Sequence, residues 1–198
     1  MGKVWERTLF MVKPDGVKRG LVGECFKRIE NVGLSIIAMK MVHPTKEQAD
    51  RHYPNEEDDI EWFKTVAKKG REAYEKKGME FPYDDMGYAR NIKNWLVDYL
   101  SSGPVVAAII EGPNAISMVR KICGSTEPAQ AEIGTIRGDF SVDSYKLANK
   151  LERPLKNVIH AASSSEDAEK EIKVWFTEEE ILEYKRSEEG VMFDPIEK

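Results

Sequence analysis

Pro104-Val105-Val106-Ala107-Ala108-Ile109-Ile110 is almost unbroken in apolar residues. A strand covered on both faces needs that continuity, whereas a strand with one wet face alternates. The run therefore predicts a central strand. Gly112-Pro113 closes it, and a helix is expected from Asn114, as N-cap, to Ile122 or Cys123. On its other side, Ile92, Trp95, Leu96 and Tyr99 recur at i, i+3, i+4, i+7 and predict an amphipathic helix over 91–100.

Further out, Thr8-Leu9-Phe10-Met11-Val12-Lys13 is a compact apolar run stopped by Pro14-Asp15-Gly16, a strand ending at a lysine. Leu21, Val22, Cys25, Phe26 and Ile29 predict a helix over 21–31, with Gly33 as its C-cap. Residues 34–42 read as a second strand. Thr45-Lys46-Glu47-Gln48 has the pattern of a capping box, opening a helix that runs to Tyr53. Toward the other terminus, Asn157-Val158-Ile159-His160 is a short strand presenting a histidine at its end. A small-residue turn follows, then serines and acids that start a helix over 165–175. With accessory helices set aside, the order is β-α-β-β-α-β. This is the α+β ferredoxin-like arrangement, a four-stranded antiparallel sheet backed by helices. That arrangement hosts many functions, so the function must come from a site.

The 198 residues fit one domain with insertions. The first insertion, about 54–90, is rich in acids and lysines; a helix over 59–77 is expected there, packed through Ile60, Phe63, Val66 and Tyr74. Residues 124–141, dense in Gly, Thr and Pro, read as a long ordered loop, 142–156 as a second insertion, and 177–198 as a charged C-terminal extension with a short helix at 178–186. The formal charge is −5 with both signs well mixed, which argues against a dedicated nucleic-acid or membrane-surface binder. Cys25 and Cys123 lie far apart in apolar surroundings and read as buried free thiols suited to a reducing cytoplasm. No apolar run approaches a membrane span.

The chemistry centres on His160. Ala168, Ile172 and Trp175 form a stripe at i, i+4, i+7 on the following helix, and Glu171 falls inside it at i+3. A carboxylate there is costly without a partner. A hydrogen bond from one ring nitrogen of His160 would supply one, fixing the tautomer and leaving the other nitrogen free as a nucleophile. Lys13, Arg120, Thr126, Arg137 and Asn157 are suitable donors to phosphate oxygens, and the strand order makes Lys13 and His160 neighbours. Neither a P-loop nor a G-x-G-x-x-G occurs, no local spacing suggests a transition metal, with His43 and His52 lacking accompanying ligands, and no G-x-S-x-G appears. An RNA-recognition module on the same strand order would need aromatics on its central strands, and Val105 to Ile110 has none.

These residues together resemble the nucleoside diphosphate kinase family. The similarity is carried by Glu6-Arg7-Thr8-Leu9 through Val12-Lys13-Pro14-Asp15-Gly16-Val17, Arg19-Gly20-Leu21-Val22-Gly23-Glu24, Ala49 to Tyr53 and Ser102-Gly103-Pro104-Val105-Val106-Ala107. It continues through Gly134-Thr135-Ile136-Arg137-Gly138-Asp139-Phe140, Asn157-Val158-Ile159-His160-Ala161 and Ala168-Glu169-Lys170-Glu171-Ile172. The resemblance implies reversible ping-pong transfer of a γ-phosphate from a nucleoside triphosphate to His160 and on to a nucleoside diphosphate. It implies that Lys13, Arg120, Thr126, Arg137 and Asn157 contact nucleotide, that Tyr53 lies beside the phosphates and histidine, and that Glu171 supports the histidine. Mg2+ is expected on the nucleotide phosphates with few protein ligands, and a homo-oligomer, hexamer or tetramer, is implied. The sequence departs from the family where His-Gly-Ser-Asp is usual: His160-Ala161-Ala162-Ser163 lacks the supporting serine hydroxyl and the aspartate near the metal. Ser163 or Ser164 could substitute; the alternative is a weakened member with a regulatory or assembly role. The first insertion replaces the segment carrying the family's base-stacking phenylalanine, leaving Phe81, Tyr88 and Trp95 as candidates. The second resembles that of archaeal-type members.

Overall fold

In the computed structural model, which describes residues 4–75, 78 and 80–193, the apolar run becomes β3 (Val105–Pro113). It lies between β1 (Trp5–Val12) and β2 (Ser35–Val42), and β4 (Ile159–Ala161) pairs with the far side of β1. The described residues thus form a four-stranded antiparallel sheet of order β2-β3-β1-β4. The period-two geometry of strands explains why β3 has no polar alternation. On one face Phe10, Val12, Val106 and Ala108 pack against α2 (Val22–Asn31) and α6 (Ala115–Cys123). On the other, Leu9, Met11, Ala107 and Ile109 pack against α3 (Lys46–His52), α5 (Asp85–Leu100) and α9 (Ser165–Trp175). Both faces are therefore dry, and truncating a residue such as Ile109 to alanine would cost about 2–5 kcal/mol.

Several local features differ from the expectations. Asn114 does not cap α6 with its side chain: its φ is +52°, and the Glu6 carboxylate instead accepts the Ile116 amide at 3.1 Å. Thr45 accepts the Gln48 amide at 3.1 Å, but the Gln48 side chain donates to the Val174 carbonyl, so only half of a capping box forms and the other half ties α3 to α9. α5 starts at Asp85 rather than 91, with Asp84 accepting the Gly87 amide at 2.8 Å. Its buried residues are Tyr88, Ala89, Lys93, Val97, Tyr99 and Leu100, so of the expected stripe Tyr99 is buried and the remainder lies one residue on. A lysine fits that stripe because its ammonium meets Asp50 at 2.8 Å and also bonds Asn55.

The insertion helix is α4 (Ile60–Glu75); Phe63 is buried, whereas Ile60 is 40% exposed, and residues 76 and 77 lie outside the described residues. The 124–141 loop contains a 3-10 turn at Pro128–Gln130 and α7 (Ile136–Phe140), and 142–156 contains α8 (Tyr145–Lys150). The short helix expected at 178–186 shrinks to a 3-10 turn at Glu178–Glu180. Beyond it the chain lies along β2, with the Leu182 amide donating to the Ile37 carbonyl at 2.9 Å and the Tyr184 hydroxyl to the Ile36 carbonyl at 3.0 Å. Residues 194–198 are outside the described residues. Among the described residues no helix is long and apolar enough to cross a membrane.

Candidate active site

The pairing of β1 with β4 sets Met11 opposite His160 and brings the end of β1 beside the histidine strand. α1 (Pro14–Lys18) starts immediately after Lys13, with proline in its first turn where a missing N–H costs nothing. The Lys13 amide donates to the Val158 carbonyl at 2.8 Å, and its ammonium donates to Asn157 Oδ1 at 2.9 Å. Asn157 Nδ2 donates in turn to the Thr126 carbonyl at 2.8 Å. Gly16 packs tightly here: a Cβ on it would lie 2.7 Å from Val12 Cγ1 and 2.9 Å from the Val158 carbonyl oxygen.

Val158, two residues before His160, has φ +69°, a left-handed conformation that is strained for a β-branched residue. Its amide donates to Asp15 Oδ2 at 3.2 Å, and Asp15 also accepts the Tyr99 hydroxyl. Arg137 holds the same segment from the other side, donating to the carbonyls of Gly124 at 2.9 Å, Ile159 at 3.0 Å and Asn157 at 3.4 Å. Much of its guanidinium is thus used in buckling the 124–141 loop to β4.

His160 Nε2 meets Glu171 Oε2 at 2.7 Å. Ser164 sets the start of α9 by accepting the Asp167 amide at 3.1 Å, and Ala168 and Trp175 bury the stripe that carries Glu171, whose side chain is 13% exposed. Ser163 does not support Glu171; its hydroxyl donates to Asp167. Both serines are thus committed elsewhere, and Ala162 is fully buried. Burial, with the positive charges of Lys13 and Arg137, pulls His160 down to about 3, so the imidazole is neutral at any working pH. Burial pushes Glu171 up to about 7, opposed by His52. Burial and Arg137 lower Lys13 to about 8.

Of the expected site residues, the structure brings Lys13, Arg137, Asn157, His160 and Glu171 together by direct contacts or charge. Tyr53 follows α3, with its ring edge against His52 at 4.9 Å between centroids. The charge of Arg120, exposed on α6, is felt by His160, whereas Thr126 is exposed and meets Asn157 through its carbonyl. Phe81 and Tyr88 pack against one another and Tyr83 in the insertion. Sequence reasoning missed Asp15, Tyr99 and above all His52. The His52 ring lies 4.5 Å from the His160 ring, edge to face, and accepts the Trp175 indole N–H on Nδ1 at 3.2 Å. Ala49 and His52 at i, i+3 were the available signal for a histidine on a buried face.

The nucleoside diphosphate kinase family model matches residues 6–70 and 61–181. The chain belongs to the nucleoside diphosphate kinase family. A nucleoside diphosphate kinase of Pyrobaculum aerophilum is 44% identical over 183 residues, covering 90% of this chain and 98% of the relative. One from Borreliella burgdorferi is 39% identical, covering 93% of this chain and 95% of the relative. Among solved structures, an NDP kinase from Pyrobaculum aerophilum superposes with a TM-score of 0.85 at 42% identity, covering 90% of this chain and all (100%) of that one. A transition state mimic of nucleoside-diphosphate kinase from Borrelia burgdorferi, with bound vanadate and ADP, gives 0.80 at 36% identity, covering 97% of this chain and 99% of that one. The chain and these relatives thus match over nearly the whole length of both.

Proposed function

We propose that this member of the nucleoside diphosphate kinase family moves the γ-phosphate of a nucleoside triphosphate onto Nδ1 of His160, and from there onto a nucleoside diphosphate. The observation that carries this reading is the 2.7 Å bond between His160 Nε2 and Glu171. An ionised Glu171 accepts the Nε2 proton, so the lone pair resides on Nδ1. That lone pair forms the N–P bond as the bond from phosphorus to the β-phosphate oxygen breaks, and the departing diphosphate takes the electron pair. In the second half-reaction a terminal oxygen of the acceptor attacks phosphorus, and the N–P electrons return to Nδ1. Little covalent help is needed for phosphoryl transfer, so the chain contributes chiefly position and charge.

Lys13 and Asn157 are the proposed phosphate donors, and Arg120 and Thr126 are proposed nucleotide contacts at the open side. Arg137 acts mainly by charge and by holding the Ile159 carbonyl. Tyr53 walls the nucleophile. Magnesium is proposed to arrive on the nucleotide phosphates, where it neutralises their charge. The carboxylate of Asp167, whose charge reaches His160, suits such an ion better than Ser163 does. The chain is read as one domain that acts in the cytoplasm as a homo-oligomer. The exposed apolar side chains of Ile133 and Val142, and the buried free thiols Cys25 and Cys123, support those last two readings.

Incubation with γ-labelled ATP tests the nucleophile. Acid-labile, alkali-stable label is expected on the chain, removed by a nucleoside diphosphate and abolished in His160→Gln. Absence of label on folded protein would sink the reading.

A further inference from the structure

His52 has no role in the chemistry just described, yet its position is costly. It is 5% exposed, and its Nε2 is buried without a hydrogen-bond partner. Trp175 decides what that nitrogen is. An indole N–H only donates, so His52 Nδ1, which receives it at 3.2 Å, must carry a lone pair. The neutral ring then holds its proton on Nε2. Turning the ring over would present a carbon to the indole and strand a buried donor.

One nitrogen of His52, one of His160 and one carboxylate oxygen of Glu171 lie within 4.8 Å of one another. By composition such a trio could hold a transition metal. The tautomer opposes it: Nδ1 is already occupied by the indole proton, and Nε2 bears a proton of its own. What His52 offers the pocket is an N–H dipole. Glu171 is the group that needs one, because Ala162, Ser163 and Ser164 give it no hydroxyl.

We propose that His52 is a positioning residue: Trp175 aims its Nε2–H at the Glu171 carboxylate, keeping Glu171 ionised and His160 in the tautomer with a free Nδ1. The inference rests on His160 being the nucleophile. The other groups facing this cluster are Tyr53 from the end of α3, Lys13 from between β1 and α1, Arg120 from α6, Arg137 from α7 and Asp167 from α9. Lys13, Arg120 and Arg137 favour neutral imidazole and Asp167 opposes ionisation of Glu171, so none of these charges replaces the His52 dipole at the carboxylate; the buried Tyr53 hydroxyl, which also has no hydrogen-bond partner, is the other neutral donor coupled to Glu171.

The test measures the pH dependence of His160 labelling by γ-labelled ATP in wild type, His52→Phe, His52→Gln and Trp175→Phe. Phenylalanine keeps the ring and loses the donor, so its acid limb should move up by about one pH unit, a rate loss of about tenfold on the acid side with the position of the alkaline limb kept. His52→Gln restores an N–H and should return the limb most of the way, and Trp175→Phe, which frees the tautomer, should fall between. An unmoved limb in folded His52→Phe overturns the proposal. Long-range nitrogen NMR on the wild-type protein provides a readout that needs no variant and no nucleotide. His52 should be neutral with its proton on Nε2 from about pH 5.5 to 8.5. A proton on Nδ1, or titration in that range, also overturns it. Failure of the wild type to label strikes the nucleophile reading, whereas the NMR result bears on His52 alone.

Discussion

Lys13 Nζ donates to Asn157 Oδ1 at 2.9 Å, and the bond joins residues separated by 144 positions. It closes the end of β1 onto the segment that leads into His160. Lys13 is buried and held down to about 8, so its charge depends on this acceptor more than a surface lysine's would.

Asn157→Ala removes that acceptor and also the donor to the Thr126 carbonyl. Leaving a buried ammonium without its partner should cost about 2–4 kcal/mol. Denaturant unfolding is expected to show a clearly lower midpoint with an unchanged slope. Lys13 should lose its proton at lower pH, so labelling by ATP should fall most on the alkaline side. A variant as stable as wild type would mean that the bond contributes nothing.

The free protein should show a narrow bell in kcat/KM, because that ratio reports groups on the unliganded enzyme. Glu171, raised to about 7, sets the acid limb: as pH falls through 7 it takes up a proton and no longer accepts the one on His160 Nε2. Lys13, lowered to about 8, sets the alkaline limb. His160, near 3, contributes to neither. For stability the sign follows from the raised carboxyl. Its favourable contribution is complete below the ordinary carboxyl pKa and is lost as pH rises through 7, so Glu171→Gln should relieve that loss while lowering the labelling rate and abolishing the acid limb. An acid limb that persists in Glu171→Gln would assign it to another group.

Gly16→Ala tests the close approach of α1 to the histidine strand. The added methyl would meet Val12 Cγ1 at 2.7 Å and the Val158 carbonyl at 2.9 Å. The second contact is backbone and cannot rotate away, so a loss of about 1–3 kcal/mol is expected. Since Val158 is already strained, the displacement should also reach His160, and labelling should slow beyond what partial unfolding explains. An unaffected thermal midpoint would show that the segment yields freely.

The parts of the site that lie within one motif were legible: Lys13 at a strand end, His160 after an apolar triplet, and Glu171 on a stripe set by Ala168 and Trp175. So was the sheet, because Val105 to Ile110 has no polar side chain to hide. What escaped depends on contacts between distant segments. Nothing around His52 reveals that Trp175, 123 residues away, fixes its tautomer. The sequence around Asn114 does not show that Glu6 takes over capping. Lys93 breaks an apolar stripe by pattern and fits it by virtue of Asp50 and Asn55. The C-terminal extension reads as solvated because several of its partners are backbone carbonyls of β2 and of the segment before it, which carry no side-chain signature.

Removal of residues 181–198 tests that last arrangement. β2 is an edge strand, and edges with unpaired backbone groups invite association with another chain. Here the Ile36 and Ile37 carbonyls are taken by Tyr184 and Leu182, and Arg186 donates to the carbonyls of Leu34 at 2.7 Å and Glu30 at 3.1 Å. The Lys40–Glu180 pair at 2.6 Å anchors the turn from which this segment departs and would remain after truncation. Met39 and Met41 are already exposed on the same strand, so truncation would add open carbonyls to an apolar border. A loss of roughly 1–3 kcal/mol is expected from the missing hydrogen bonds, read as a lower Tm. Sedimentation should show a larger or broader assembly than the full chain forms at equal concentration. Labelling of His160 should persist, since β4 lies at the opposite edge of the sheet. Unchanged sedimentation and Tm would mean that the extension neither covers nor stabilises the β2 edge.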